Sequence, residues 1–319
     1  RIFNKIYDGV HQKLAKESGF KRRLFSWALS NSEKVHQAHE AGKSSPFPAG
    51  MLQGFFDSIV FSKIRDRFGG RLRYAVSGGA KLNEDVARFL DLLDIPVLEG
   101  YGLTETSPMV SVNLPGERKL GSVGKPIPGV EIDIREVPEA QHAPNEGEVC
   151  VRGPNIMKGY FKKPDKTREV LEDDGTFHTG DLGYMDEEGF LHIVGRVKEQ
   201  YKLENGKYVV PGPVEEEIKM SPYVEEAMLD GANRPYNVVL INVERPALDE
   251  WAAERGIPTD DTGALLEHPE VRDLFQGIID ETTAEVKKYE RPADSRLVDD
   301  EGSAEKGVLT PKLSLTRRG

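Results

Sequence analysis

The 319-residue chain carries 30% charged and 38% hydrophobic residues, an ordinary balance for a globular fold long enough for about two domains. Its net charge of −11 argues against nucleic acid as the main partner, because phosphate backbones call for a basic surface. Cys150 is the single cysteine, which excludes an internal disulfide and a cysteine-cluster metal site and fits a reducing, cytoplasmic compartment.

The opening RIFNKIYDGV shows neither a signal peptide nor an initiator methionine, and the chain is read as part of something longer. No apolar run approaches the ~20 residues of a membrane-spanning helix. Residues 3–41 read as helical, with Phe20, Leu24, Phe25, Trp27, Ala28 and Leu29 forming an apolar surface beside Lys21, Arg22 and Arg23. Such a surface packs on its own domain or, near residues 20–29, touches a membrane surface peripherally. The loop 42-GKSSPFPAG-50 ends a phosphate-loop motif in appearance only, since the required first glycine falls at Gln37.

From residue 52 helix and strand alternate: a helix over 52–68, a strand over 71–80, a helix over 83–94 and a strand over 95–99. This order predicts parallel strands whose carboxyl ends gather ligands. Ser77-Gly78-Gly79-Ala80 and Glu99-Gly100-Tyr101-Gly102 fall at two such ends. The dinucleotide fingerprint fails in the second stretch, because Glu105 stands where its third glycine belongs. A ring, hydroxyls and a carboxylate beside pliant backbone still suit a ligand with a base, phosphates and a metal ion.

Beyond residue 120 short alternating runs take over, 129-GVEIDIRE-136, 147-GEVCVRG-153 and 190-FLHIVGRV-197, which predict a small antiparallel sheet or barrel. The turn 186-DEEG-189 makes 178–185 and 190–196 a hairpin that brings Asp181 and Arg196 towards one ligand. Cys150 reads as a packed strand residue; His178 and His192 read as structural. After the polar stretch 198–212, helices at 213–220, 246–255 and 269–288 and strands at 223–231 and 237–244 build a compact α+β tail.

Taken in order, SGGA, EGYGLTET, HTGDLGY, GRVKEQYKLENGKYVVP and LTPKL resemble the adenylate-forming superfamily, and in particular its long-chain fatty acyl-CoA synthetases. The resemblance covers essentially the whole chain. It implies a partial large AMP-binding domain over 1–198, α/β to about 120 and antiparallel β over 121–198, followed by a small mobile α+β domain over 199–319 with its hinge at Lys198 and Glu199. The family commonly has Asp at that hinge, so Glu199 departs from it.

The same resemblance implies ATP-dependent conversion of a long-chain fatty acid to acyl-AMP and its transfer to coenzyme A. Ser77, Gly78, Gly79, Ala80, Glu99, Gly100, Tyr101 and Gly102 would enclose the adenosine, Thr104 would meet the α-phosphate and Glu105 would bind Mg2+. Asp181 and Arg196 would hold the ribose, while Lys198, Glu199, Lys202 and Gly206 would serve coenzyme A or the hinge. The family's phosphate loop is absent from these residues, and much of the acyl tunnel would lie upstream with it. In 309-LTPKLSLTRR-318 Ser314 occupies the usual lysine position, which leaves Lys312 as the candidate catalytic cation. Two other readings stay open, an acyl-AMP ligase that loads a carrier protein and a catalytically silent AMP-binding protein. Chain-length preference and oligomeric state are not legible.

Overall fold

The computed structural model describes residues 2–79, 82–137 and 145–299. The chain divides into two compact units, residues 1–129 with 189–191 and residues 130–188 with 192–319.

In the first unit, helices α1 (Ile2–Ala15) and α2 (Gly19–Glu40) replace the single helical stretch expected over 3–41. The break falls at Ser18, whose extended backbone (φ −60°, ψ 151°) begins α2. Phe25, Ala28, Ser32 and Val35 are buried on α2, the spacing of one helix face, whereas Phe20 and Trp27 are 75% and 66% exposed. The helix expected over 52–68 runs as α3 (Ala49–Phe56), a π-helical segment Asp57–Phe61 and α4 (Ser62–Arg65). Arg65 ties this interrupted helix together, donating to Asp57 at 2.8 Å and to the Leu93 carbonyl at 3.1 Å.

Strand β1 (Ala75–Gly78), helix α5 (Glu84–Leu92) and strand β2 (Val97–Tyr101) follow. Residues 71–74 stay outside the sheet. Asn83 caps α5 by accepting from the Asp85 and Val86 amides at 2.8 and 3.3 Å, satisfying donors that a helix start leaves orphaned. Val86, Phe89, Leu90 and Leu93 of this crossover are buried with Val97 and Leu98. Strands β1 and β2 are parallel; β3 (Ser111–Val112) and β4 (Lys125–Pro126) extend the sheet antiparallel in the order β1-β2-β3-β4.

The second unit contains β5 (Glu131–Arg135), β6 (Gly147–Arg152), the short helix α6 (Pro164–Arg168), β7 (Phe177–Met185) and most of β8 (Leu191–Arg196). These strands form one sheet in the order β5-β6-β7-β8, and no barrel closure is seen among the described residues. The small hairpin of β9 (Tyr201–Lys202) and β10 (Tyr208–Val209) comes next. Helix α7 (Pro211–Ile218) then leads into β11 (Val224–Asp230), β12 (Asn237–Val243), α8 (Arg245–Ala253), α9 (Thr262–Leu266), α10 (Pro269–Thr282) and β13 (Pro292–Val298).

Strand β12 pairs antiparallel with β11 and parallel with β13. Leu229, Val239, Ile241, Leu248, Phe275 and Ile279 make a core that is at most 2% exposed, each contributing roughly 1.5–3 kcal/mol by burial. Helix α10 ends at Thr282 rather than near 288. There Thr282 and Thr283 turn their hydroxyls back onto the Ile278 and Ile279 carbonyls at 2.8 and 2.7 Å, a local bond that competes with helix continuation.

Candidate functional site

The parallel register sets Ser77 opposite Glu99 and Gly78 opposite Gly100, so the two glycine-bearing stretches emerge from the same end of one sheet. Gly79 follows with a left-handed φ of +88°; Ala80 lies outside the described residues. Glu99 is 6% exposed and accepts the Leu82 amide at 3.1 Å, holding the segment after β1 to the end of β2. Its backbone carbonyl receives the Asn113 amide at 2.8 Å.

Beyond the half-buried Tyr101 the chain turns through Gly102 and Leu103 into the 3-10 turn Thr104–Thr106. A Cβ at Gly102 would overlap the Pro108 carbonyl, so only glycine fits there. Thr106 is fully buried and closes the loop from beneath. Its hydroxyl accepts the Leu103 amide at 2.9 Å and faces the Leu103 and Pro108 carbonyls at 3.0 and 3.1 Å. The exposed Thr104 and partly exposed Glu105 therefore ride on a fixed turn. Sequence reasoning missed Thr106; the repeated Thr-x-Thr was the available signal.

In the second unit Glu148 pairs with Leu182 and Cys150 with His178, so Val149 alone faces Thr179, Gly180 and Asp181. This bulge bends β7 and re-aims its side chains. Thr179 donates its hydroxyl to the Val149 carbonyl at 2.7 Å and accepts the Asp181 amide at 3.0 Å. Gly180 sits at φ +71°, a conformation that costs other residues energy, and donates its amide to Glu148 Oε1 at 3.0 Å. The carboxylate of Asp181, a 5% exposed residue, accepts from Arg196 Nη1 at 2.6 Å. The β7–β8 hairpin thus sets Asp181 beside Arg196.

His178 lies between two carboxylates, with Nδ1 2.9 Å from Glu148 Oε2 and Nε2 2.8 Å from Glu172 Oε1. Burial opposes its charge, but the hydrogen bonds to Glu148 and Glu172 outweigh it and raise its pKa above the ordinary histidine value. Cys150 Sγ approaches the same Nδ1 at 3.5 Å, and burial, helped by Glu148, pushes its thiol up to about 12. Ligand atoms of Glu148, Cys150 and His178 all lie within 4.8 Å of one another, but the imidazole and carboxylate atoms are already engaged with each other and with Gly180. His192 stacks on Tyr184 at 4.6 Å and meets Asp186 at 3.1 Å, a structural setting.

Lys198 and Glu199 are exposed on the 3-10 segment Val197–Glu199. Lys202 lies over the Tyr208 ring at 5.6 Å, and Gly206 (φ +86°) closes the β9–β10 turn. Lys312 and Ser314 lie outside the described residues.

Two family models match the chain, an AMP-binding enzyme model over residues 11–161 and an AMP-binding enzyme C-terminal domain over 198–318. The chain belongs to the AMP-binding, adenylate-forming enzymes. More particularly, it is 35% identical to the peroxisomal long chain acyl-CoA synthetase 7 of Arabidopsis thaliana, over 99% of this chain and 45% of that protein. The chain spans about half the length of the curated relatives it matches.

Among solved structures, the adenylation domain of a Mycobacterium chelonae carboxylate reductase has the same fold. Its TM-score is 0.64 at 24% identity, covering 93% of this chain and 43% of that one. The O-succinylbenzoate coenzyme A synthetase of Bacillus subtilis, in complex with ATP and magnesium ion, aligns with a TM-score of 0.54 at 27% identity, over 71% of this chain and 43% of that one.

In the first unit Thr104 and Glu105 offer oxygens of the kind that Mg2+ and phosphate groups prefer, and Tyr101 offers a ring face; in the second unit Asp181 offers a charged acceptor for hydroxyls.

Proposed function

We propose that the protein of which this chain is part activates a long-chain fatty acid with ATP and passes the acyl group from acyl-AMP to coenzyme A. A free carboxylate is a poor acyl donor because oxide leaves badly, whereas AMP leaves readily. The observation that carries this reading is the buried Asp181 carboxylate on the β7 bulge, paired with Arg196 of β8, together with the long-chain acyl-CoA synthetase relative.

Ser77, Gly78, Gly79, Ala80 and Tyr101 would enclose adenine, with Glu99, Gly100 and Gly102 shaping the backbone beside it. Thr104 would donate to the α-phosphate, and Asp181 and Arg196 would orient the ribose through charge-assisted hydrogen bonds. Glu105 would hold Mg2+, which supplies charge neutralisation at the phosphates when bound. Lys312 would steady the negative charge shared by the attacking carboxylate and the phosphate.

Lys198 and Glu199 would form the hinge of a small carboxyl-terminal domain, and Lys202 and Gly206 would face the coenzyme A side. The C-terminal family model begins at 198, which supports that boundary. The test is the Lys312→Ala variant of the full-length protein. Adenylation, read as pyrophosphate release, is expected to fall ~100-fold, with thioesterification from supplied acyl-AMP retained. Equal adenylation in variant and parent removes Lys312 from the role.

A further inference from the structure

We propose that Glu148 is the positioning residue for Asp181, holding the β7 bulge through the Gly180 amide while His178 holds Glu148. The inference rests on the nucleotide role of Asp181 proposed above. The bulge costs the β6–β7 ladder its regular pairing, because three residues of β7 face Val149 alone. A left-handed Gly180 is free to fold back. What fixes it is Glu148, which is only partly exposed: Oε1 accepts the Gly180 amide at 3.0 Å and Oε2 lies 2.9 Å from His178 Nδ1.

Glu172 lies 2.8 Å from the other imidazole nitrogen, and Arg135 donates to Glu172 at 2.6 Å. A neutral imidazole has one N–H, so two carboxylates are both served only by the imidazolium. The chain of contacts Arg135, Glu172, His178, Glu148, Gly180 therefore ends at the residue preceding Asp181. Thr179 supplies the remaining fastening, through the Val149 carbonyl and the Asp181 amide.

Alternative uses of the cluster are less well carried. An ion among Glu148, Cys150 and His178 would have to displace hydrogen bonds already made. Its thiol ligand is also held protonated by burial.

The experiment compares Glu148→Ala and Glu148→Asp with the parent in the full-length protein. Hydrogen–deuterium exchange is followed in the peptide 177–185, with 237–243 as internal control, and AMP affinity is measured by calorimetry. Loss of the clamp is expected to speed exchange in 177–185 about tenfold and to weaken AMP about tenfold, the size of one hydrogen bond to a charged group. The control peptide should be unchanged.

Glu148→Asp keeps the charge and shortens the reach by one methylene, so it gives the same readouts should the alanine variant not fold. Exchange within twofold of the parent overturns the clamp. Faster exchange with unchanged AMP affinity also overturns the positioning role, provided Asp181→Ala weakens AMP in the same assay. If Asp181→Ala has no effect on AMP either, the nucleotide reading has failed, and the exchange data alone decide whether Glu148 holds the bulge.

Discussion

Arg196 donates to the buried Asp181 carboxylate at 2.6 Å from the neighbouring strand of the same sheet, so the acid that the nucleotide reading depends on is held in one orientation. Asp181→Ala removes a charged acceptor that is itself largely shielded from water. In the full-length protein it is expected to weaken AMP and ATP binding by about 2–4 kcal/mol. Calorimetric titration checks this, and unchanged affinity would remove Asp181 from the ribose.

Gly102→Ala drives a methyl group into the Pro108 carbonyl. The Thr104–Thr106 turn must shift to relieve it, at a cost of about 2 kcal/mol or more. Urea unfolding should show the loss as a lower midpoint, and the Michaelis constant for ATP should rise with it. A parent-like midpoint would mean that this turn yields freely.

Cys150 is expected to be inert. With the thiol pushed up to about 12, roughly one molecule in ten thousand carries a thiolate at pH 8. A chromogenic disulfide reagent should label native protein far more slowly than urea-unfolded protein. Fast native labelling would contradict the packed setting of the strand.

His178 makes stability depend on pH in a definite direction. Its folded pKa is raised above the unfolded value of about 6.5, so protonation favours the folded state. The groups facing it are Glu148 and Cys150 on β6 and Glu172 ahead of β7, with Arg135 of β5 behind Glu172. Its contribution is fully present below about pH 6.5 and is lost as pH rises through the raised folded value. The difference in urea midpoint between parent and His178→Gln should therefore shrink between pH 6 and pH 9. A constant difference would show that the imidazolium is not what stabilises the cluster.

What could be read from the residues was whatever periodicity and turn chemistry control. The β1-α5-β2 crossover follows from alternating apolar runs, and the β7–β8 hairpin follows from 186-DEEG-189. The crossover placed its glycine and acid residues at strand ends, whereas Gly180 and Asp181 lie within β7 at its bulge. The break between α1 and α2 at Ser18 was hidden because the apolar spacing continues across it. Strand β13 was missed because 292-PADSRLV-298 has no apolar alternation; among its residues Pro292 and Leu297 are buried, as suits pairing on one side only.

The supporting contacts of the candidate site were illegible for a different reason. The side chain of Glu99, a nucleotide candidate by its place in EGYG, accepts the Leu82 amide. Likewise Glu148 and Glu172, 24 positions apart in sequence, meet only across the His178 ring. Such partners are set by strand register, and a two-residue offset between β6 and β7 leaves no mark on composition or spacing beyond Gly180 itself.

The central claim is tested most directly by pyrophosphate release from the full-length protein with ATP and a long-chain fatty acid, followed by addition of coenzyme A. The account predicts release that requires both substrates, acyl-CoA formation once the thiol is added, and loss of the release in Asp181→Ala. AMP binding without fatty-acid-dependent pyrophosphate release would contradict it.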